Sequence, residues 1–527
     1  MLRRHQPKFT TKPNSHHQPK FTTNPNPATN PSLTTKPRLT TNPNPATDPR
    51  HHQPAATIRK SLGVFSAVCV IVAKSKSMAT NSTLELETEP VGRLLAKYAL
   101  PAIAGMIAIA LYNVVDSIFI GQWVGEYALA GLAVAFPIMT LSVALGTLLG
   151  VGGASVCSIR LGEKDEMGAA RAFGNVFSLG LVFGIPFGVL SACALVPILT
   201  WFGASDQTLP YAYKFMVVIL FGTPVNFTFF NLTHIMRAAG FPNRALVAVV
   251  ISVLINIILA PLFIKVFDWG IMGAAFATLT AQICGLLFTL HHFLFVNSPV
   301  RFRRGIYRPR ANTVLPIISI GCAPSILNIC ACAIAVIINQ QLLRYGGDLA
   351  VGAYGIILRI LTVSTLTVVG LTQGMQPIVG YNHGARRYDR SRKAFALTFV
   401  VGMIITTICC AACQFCPRLI ASVFTDNLEM IRHTVRGLHF STAIFLFVGG
   451  QIVINNFFQA IGHGKTAALL STTRQMLFLV PGLLIFPYFF GQDGVWVSMP
   501  VADLAAVVLT AVVFLRFLRN YKPVELR

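Results

Sequence analysis

A chain of 527 residues, 54% hydrophobic and 11% charged, with mean hydropathy +0.64, is too apolar for a soluble protein with several ordinary cores and reads as a polytopic membrane protein. Its formal charge of +24 does not point to nucleic acid: residues 1–77 hold twelve Lys and Arg against Asp48 alone, and the rest of the excess falls in alternate loops, the pattern of membrane topology. The eleven cysteines lie nearly all within apolar runs, which excludes a secreted disulfide framework.

Residues 1–77 form a low-complexity tail. His-Gln-Pro-Lys-Phe-Thr-Thr begins at His5 and again at His17, and Thr-Thr-Asn-Pro-Asn-Pro-Ala-Thr begins at Thr22 and at Thr40. So much Pro, Asn and Thr cannot bury a core, and the tail is expected to be disordered or not translated. The apolar run Leu62 to Ala73 is too short to cross a bilayer as a helix. It reads either as a signal-peptide core or as sequence upstream of a start at Met78. An acidic lead follows, with Glu85, Glu87 and Glu89, and then twelve long apolar segments. Their expected spans are 96–121, 127–158, 170–201, 209–237, 245–267, 270–296, 312–343, 349–382, 393–424, 433–460, 465–490 and 494–518. Several exceed the ~20 residues that cross a bilayer, so tilt or extension beyond it is expected.

Loop charges fix the orientation. The loops that alternate with the spans, beginning before the first, hold twenty-two Lys and Arg, including Arg160, Arg237, Arg244, the run Arg301 to Arg310 and the run Arg386 to Lys393; the other set holds six. Both termini are therefore expected in the cytoplasm. The chain also repeats itself. Gly162 to Phe173 and Gly384 to Phe395 match at a spacing of 222 residues, Gly240 and Gly462 keep that spacing, and Pro101 aligns with Pro324. Six spans per half give parallel repeats enclosing a central cavity. The expected organisation is an N-lobe at 78–296, a basic cytoplasmic linker at 297–311, a C-lobe at 312–519 and a cytoplasmic tail at 520–527.

Of eighteen acidic residues, only Asp116 and Asp503 fall inside apolar runs. A charge in a span costs roughly 2.5–3.5 kcal/mol on insertion scales and is kept where it faces an interior cavity with work to do. Asp116 shares its helix face with Tyr112 and Asn113, one turn back. Pro101, ~22 Å earlier along the axis at ~1.5 Å per residue, is the expected hinge. Burial disfavours the charged form of a carboxylate, so such a group takes a proton from one side and releases it when the cavity changes shape or a cation arrives. Asp503 is open to two readings, a role in transport or a structural pair with Arg474 or Arg359.

Other signals carry less. Cys410, Cys413 and Cys416 imitate an iron–sulfur run but lie within a span without a fourth ligand, and read as packing residues. Gly150-Val-Gly152-Gly153 reads as a close helix contact rather than a phosphate loop. The histidines show no metal-binding grouping, and no metal or cofactor is expected.

The body from Arg93 to Arg519 resembles the multidrug and toxic compound extrusion (MATE) family, most closely its MepA-type bacterial members. The residues carrying the resemblance are Leu111-Tyr112-Asn113-Val-Val-Asp116-Ser-Ile-Phe-Ile-Gly121 in the first span, Asn256-Ile-Ile-Leu-Ala-Pro-Leu-Phe-Ile264 in the fifth, Gly273-Ala-Ala-Phe-Ala-Thr278 in the sixth, and Gln373-Gly-Met-Gln376-Pro-Ile-Val-Gly-Tyr-Asn-His-Gly-Ala385 towards the end of the eighth. The resemblance implies an all-α integral membrane fold with twelve transmembrane helices in two pseudo-symmetric six-helix lobes, outward export of organic cations, and energy from inward H⁺ or Na⁺ flow. It implies an ion-coupling cluster at Asp116, Asn256 and Thr278, with the hinge at Pro101. Many members carry a second Asp one turn after the asparagine; this chain has Ala260. A Na⁺ site wants several hard oxygens, so the missing carboxylate tilts the expectation towards H⁺.

The cavity-lining candidates are Tyr112, Asn113, Asn339 (opposite Asp116 in the repeat), Gln373 and Gln376. The function expected is a secondary active antiporter for multidrug efflux of amphipathic cations, a xenobiotic exporter contributing to antibiotic resistance. It is expected to act as a monomer in the plasma membrane, the inner membrane in a Gram-negative source, with small organic cations and lipid as its partners. The alternatives are a flippase or exporter of a lipid-linked or other endogenous metabolite and, from another class, an intramembrane enzyme, for which the acids and histidines are too scattered.

Overall fold

A computed structural model describes residues 82–520 apart from 203, 297, 425 and 426. The readings of the tail 1–77, of the start at Met78 and of residues 521–527 lie outside the described residues. A short helix, α1 (Ser82–Thr88), precedes the first long one, α2 (Val91–Trp123). The N-lobe continues through α3 (Glu126–Gly162), α4 (Glu166–Cys193), α5 (Leu195–Trp201), α6 (Leu209–Phe221), α7 (Thr223–Ala238), α8 (Pro242–Pro261) and α9 (Gly270–Phe295). The C-lobe comprises α10 (Ala311–Gly347), α11 (Leu349–Gly384), α12 (Tyr388–Phe415), α13 (Pro417–Ser422), α14 (Leu428–Ser441), α15 (Phe445–Ala460), α16 (Gly464–Phe490) and α17 (Gln492–Asn520).

Among the described residues, ten helices are long and apolar enough to cross a membrane, and α6 with α7 and α14 with α15 complete the set as bent pairs, at 55° and 54°. Twelve spans result, as expected, but the third and ninth end eight and nine residues early, at Cys193 and Phe415, where the separate short helices α5 and α13 follow. The first bend falls at Gly222 with Pro224 just after it, the usual cause of a sharp kink. Pro261 withholds an N–H from the ladder, and α8 widens there into a π-turn, Leu262–Val266.

The duplication is written into the helix boundaries. Helices open at Glu166, Leu195, Pro242 and Gly270, and their counterparts open 222 residues later at Tyr388, Pro417, Gly464 and Gln492. Buried apolar side chains form three main clusters. One draws on both lobes at their Arg-rich ends, including Tyr98, Cys157 and Phe173 of the first half and Ile320, Met375 and Phe458 of the second. At the opposite ends each lobe keeps its own cluster, around Ile120 and Phe215 in one and around Ile338 and Trp496 in the other. The lobes are thus joined at the end carrying the basic loops and separate at the other.

The joint depends on glycine. A Cβ on Gly162 of α3 would fall on the carbonyl oxygen of Tyr381 in α11, and one on Gly384 of α11 would fall on that of Ile159 in α3. Each glycine is the other's repeat partner, so the contact is self-complementary about the pseudo-two-fold axis. Gly152 and Gly321 allow the same close approach between α3 and α10. Gly152 belongs to the run read as a helix contact.

The acidic lead closes over this joint. The Arg390 guanidinium donates to the carbonyls of Leu86 (3.2 Å) and Glu89 (2.6 Å), and the Asn382 amide donates to Leu86 O at 3.2 Å. Arg387 pairs with Glu87, and Lys97 holds Glu85 at 2.5 Å. The ion pairs are part-exposed and worth about 0–1 kcal/mol each, whereas Leu86 is fully buried. Leu86→Ala should therefore cost about 2 kcal/mol or more and Glu87→Gln less than about 1 kcal/mol, measured as unfolding midpoints in detergent. The reverse ranking would mean that charge, not burial, seats α1.

Candidate functional site

The N-lobe holds the polar cluster. Pro101 and Asp116 both belong to α2, which stays helical through the proline. Asp116 is 8% exposed, its Oδ1 is buried without a hydrogen-bond partner, and among the described residues no cation lies within 4 Å of it. An orphaned carboxylate oxygen in a membrane protein interior demands an occupant or a proton. One turn away, Tyr112 lines a small cavity of about 20 Å³ whose polar residues are Ser252, Asn256, Thr278 and Gln282 and whose other walls are apolar, among them Ile109, Phe229 and Phe230. The Asn256 amide donates to Thr278 Oγ1 at 2.9 Å, joining α8 to α9. Two of the three coupling candidates therefore touch. Asp116 makes no hydrogen bond to either and lies just beyond the lining, on a helix packed against α8. Ala260, one turn after Asn256, is fully buried.

The remaining cavity candidates separate. Asn113 is exposed and turns its amide back to Ile109 O at 2.8 Å, and Asn339 is exposed on α10; neither lines this cavity or the one below. Gln373 and Gln376 lie at the joint between lobes. Gln373 accepts from Arg237 of α7, and Gln376 donates to Ser155 Oγ of α3 at 2.7 Å. Both line a second cavity with Ser158, His234 and Arg237. Arg237, which the sequence assigns to a loop, is half-buried between the lobes. Sequence reasoning also passed over Ser252 and Gln282, which stand one turn before Asn256 and one turn after Thr278; that i±4 spacing is the signal that finds them.

In the C-lobe, Asp503 is 6% exposed, and its Oδ1 receives both Nε and Nη2 of Arg474 at 2.7 Å. Arg474 sits in a π-helical stretch of α16, Thr473–Leu479. Arg359 is exposed. Arg474 keeps 29% of its side chain exposed and can be hydrated when its partner is lost, so Asp503→Asn should cost about 1.5–3 kcal/mol, read as a lower unfolding midpoint with ion dependence unchanged. Among the described residues no three His, Cys, Asp or Glu side chains gather as metal ligands, and the ten described cysteines are free.

A family model described as MatE matches residues 101–262 and again 324–485. The chain belongs to the MATE family. This MATE protein therefore carries two copies of the family unit, opening on Pro101 and Pro324, and it is a multi-pass membrane transporter rather than an enzyme. It is 26% identical over 434 residues to the multidrug export protein MepA of Staphylococcus aureus, covering 81% of this chain and 95% of that one. It is 36% identical to the solved MATE multidrug transporter DinF-BH, with TM-score 0.76, covering 81% of this chain and 96% of that chain. An outward-facing MATE family transporter of the MOP superfamily superposes with TM-score 0.79 at 23% identity, over 84% of this chain and 99% of the other. Asp116 and Asn256 fall within the first matched segment, and Asn339, Gln373 and Gln376 within the second.

Proposed function

We propose that this transporter exports amphipathic organic cations from the cell in exchange for protons, with Asp116 as the exchanging group. The observation that carries the reading is the buried, unpartnered Asp116 oxygen on a helix one turn from a largely apolar cavity that also holds Tyr112, Asn256 and Thr278. An aspartate that holds no permanent partner can alternate between proton and cation, which is the minimum equipment of an antiporter. The names of the relatives, a multidrug export protein and a multidrug transporter, support export of drug-like small molecules.

In this reading the basic loops face the cytoplasm and both termini lie there, in the plasma membrane, with the protein working as a monomer. The described arrangement, joined at the Arg-rich ends, is then the outward-open one. A proton reaching Asp116 cancels its hold on the cation, α2 bends near Pro101, and the cation leaves. The protonated N-lobe then closes outward as the glycine-lined joint separates. Asn256 and Thr278 hold the neighbouring helices in register, while Tyr112 and Gln282 offer polar contact. In the C-lobe Gln373 and Gln376 fasten the joint, and substrate contact at Asn113 and Asn339 would require the cavity to enlarge.

Na⁺ coupling is disfavoured by Ala260, because Asp116 then lacks a second carboxylate to complete a hard-oxygen shell. Ala260→Asp should confer Na⁺-stimulated export in vesicles, and an unchanged ion dependence would remove that argument. The test of the whole reading is uptake of a fluorescent cation into reconstituted vesicles under an imposed pH or Na⁺ gradient. A lipid-linked substrate gains no support from Arg359 or Arg474, the two arginines inside the expected spans: Arg359 is exposed away from either cavity, and Arg474 is engaged by Asp503.

A further inference from the structure

We propose that the second cavity, between the lobes, is a binding site for one small anionic group, held by Arg237. The site is built from α3, α7 and α11 and is a narrow gap with about 10 Å³ of room at its centre and an open margin around it, lined by Ser158, His234, Arg237, Gln373 and Gln376. Arg237 is a fixed positive charge at any physiological pH. Its hydrogen bond goes to a neutral amide, Gln373, and among the described residues no carboxylate lies within 4 Å of its nitrogens.

Two magnitudes decide whether the protein alone satisfies this charge. Arg237 stands in the last turn of α7, where the helix dipole favours a cation by about 0.3–1 kcal/mol. Arg237 is half-buried, so it bears only part of the several kcal/mol that taking an ion out of water costs. What the dipole and one amide leave open is the rest of the guanidinium's donors, which have no protein acceptor among the described residues, and those donors are the attraction for an anion. The guanidinium offers five N–H donors in a planar fork, and Gln376, with one amide hydrogen on Ser155, has a second available to the cavity. Ser158 donates to Ala154 O at 2.9 Å and so contributes no donor. The chemistry suits a halide or a single carboxylate, and the bound anion would neutralise Arg237 while the lobes are joined. Because the site is recognised by its own ligand, it stands apart from which compound is exported.

The test is the nuclear magnetic resonance line width of chloride over purified full-length protein in detergent. Wild type should broaden the line beyond protein-free buffer, Arg359→Gln should keep that excess, and Arg237→Gln should abolish it. Gln373→Glu sets a carboxylate against the guanidinium, so it should also abolish the excess while preserving the fold. Acetate that displaces the chloride would identify a carboxylate, such as one carried by a zwitterionic substrate, as an accepted occupant. Acetate without effect would restrict the site to free halide. Absence of excess broadening in wild type, or its survival in both Arg237→Gln and Gln373→Glu, would overturn the proposal.

Discussion

Asp116→Asn is expected to abolish proton-driven export while leaving the protein folded in the membrane. The substitution keeps the size and nearly the shape of the side chain but removes its ability to ionise, so the N-lobe retains its packing and loses its exchange chemistry. A gradient of one pH unit stores about 1.4 kcal/mol per proton, enough to sustain about a tenfold concentration ratio of a substrate exchanged one for one. Wild-type vesicles should approach that ratio, and vesicles carrying Asp116→Asn should show none. Normal accumulation by the variant would remove Asp116 from the mechanism.

The second large effect is expected at the crossing of α3 and α11. The backbones meet so closely at Gly162 that even a methyl group would coincide with the Tyr381 carbonyl, and a leucine forces the helices apart over a full side chain. Overpacking of this kind typically costs about 1–3 kcal/mol, but the functional loss should exceed the stability loss, because one end of the transport cycle needs the joint closed. Gly162→Leu should stop export and expose Cys157, which is fully buried beside the crossing. Mass spectrometry after thiol labelling checks this at that residue. Export that persists with Cys157 still protected would show that the glycine crossing is not part of the cycle.

The spans were legible because crossing a bilayer imposes a length of apolar sequence, and the duplicated halves because Gly162 and Gly384 anchor the same motif. That these two glycines touch each other was not legible, since the pairing of helices from different lobes is a tertiary fact with no local signature. The bend at Gly222 was hidden inside an unbroken apolar run. At the candidate site, Asp116 announced itself by charge, whereas Ser252 and Gln282 are neutral and drew no notice among other polar residues. Arg237, the last residue of the expected fourth span, was counted with the basic loop charges; its side chain instead reaches inward to Gln373. Asp503 and Arg474 were visible as a possible pair, and the structure joins them at 2.7 Å, with Arg474 in the π-helical stretch of α16 that no sequence pattern announced.

The most direct test of the account is proton release on substrate binding. A fluorescent cation added to purified protein in weakly buffered detergent should displace protons from wild type and none from Asp116→Asn. Equal release from both proteins would place the exchanging proton on another group and contradict the central role given to Asp116.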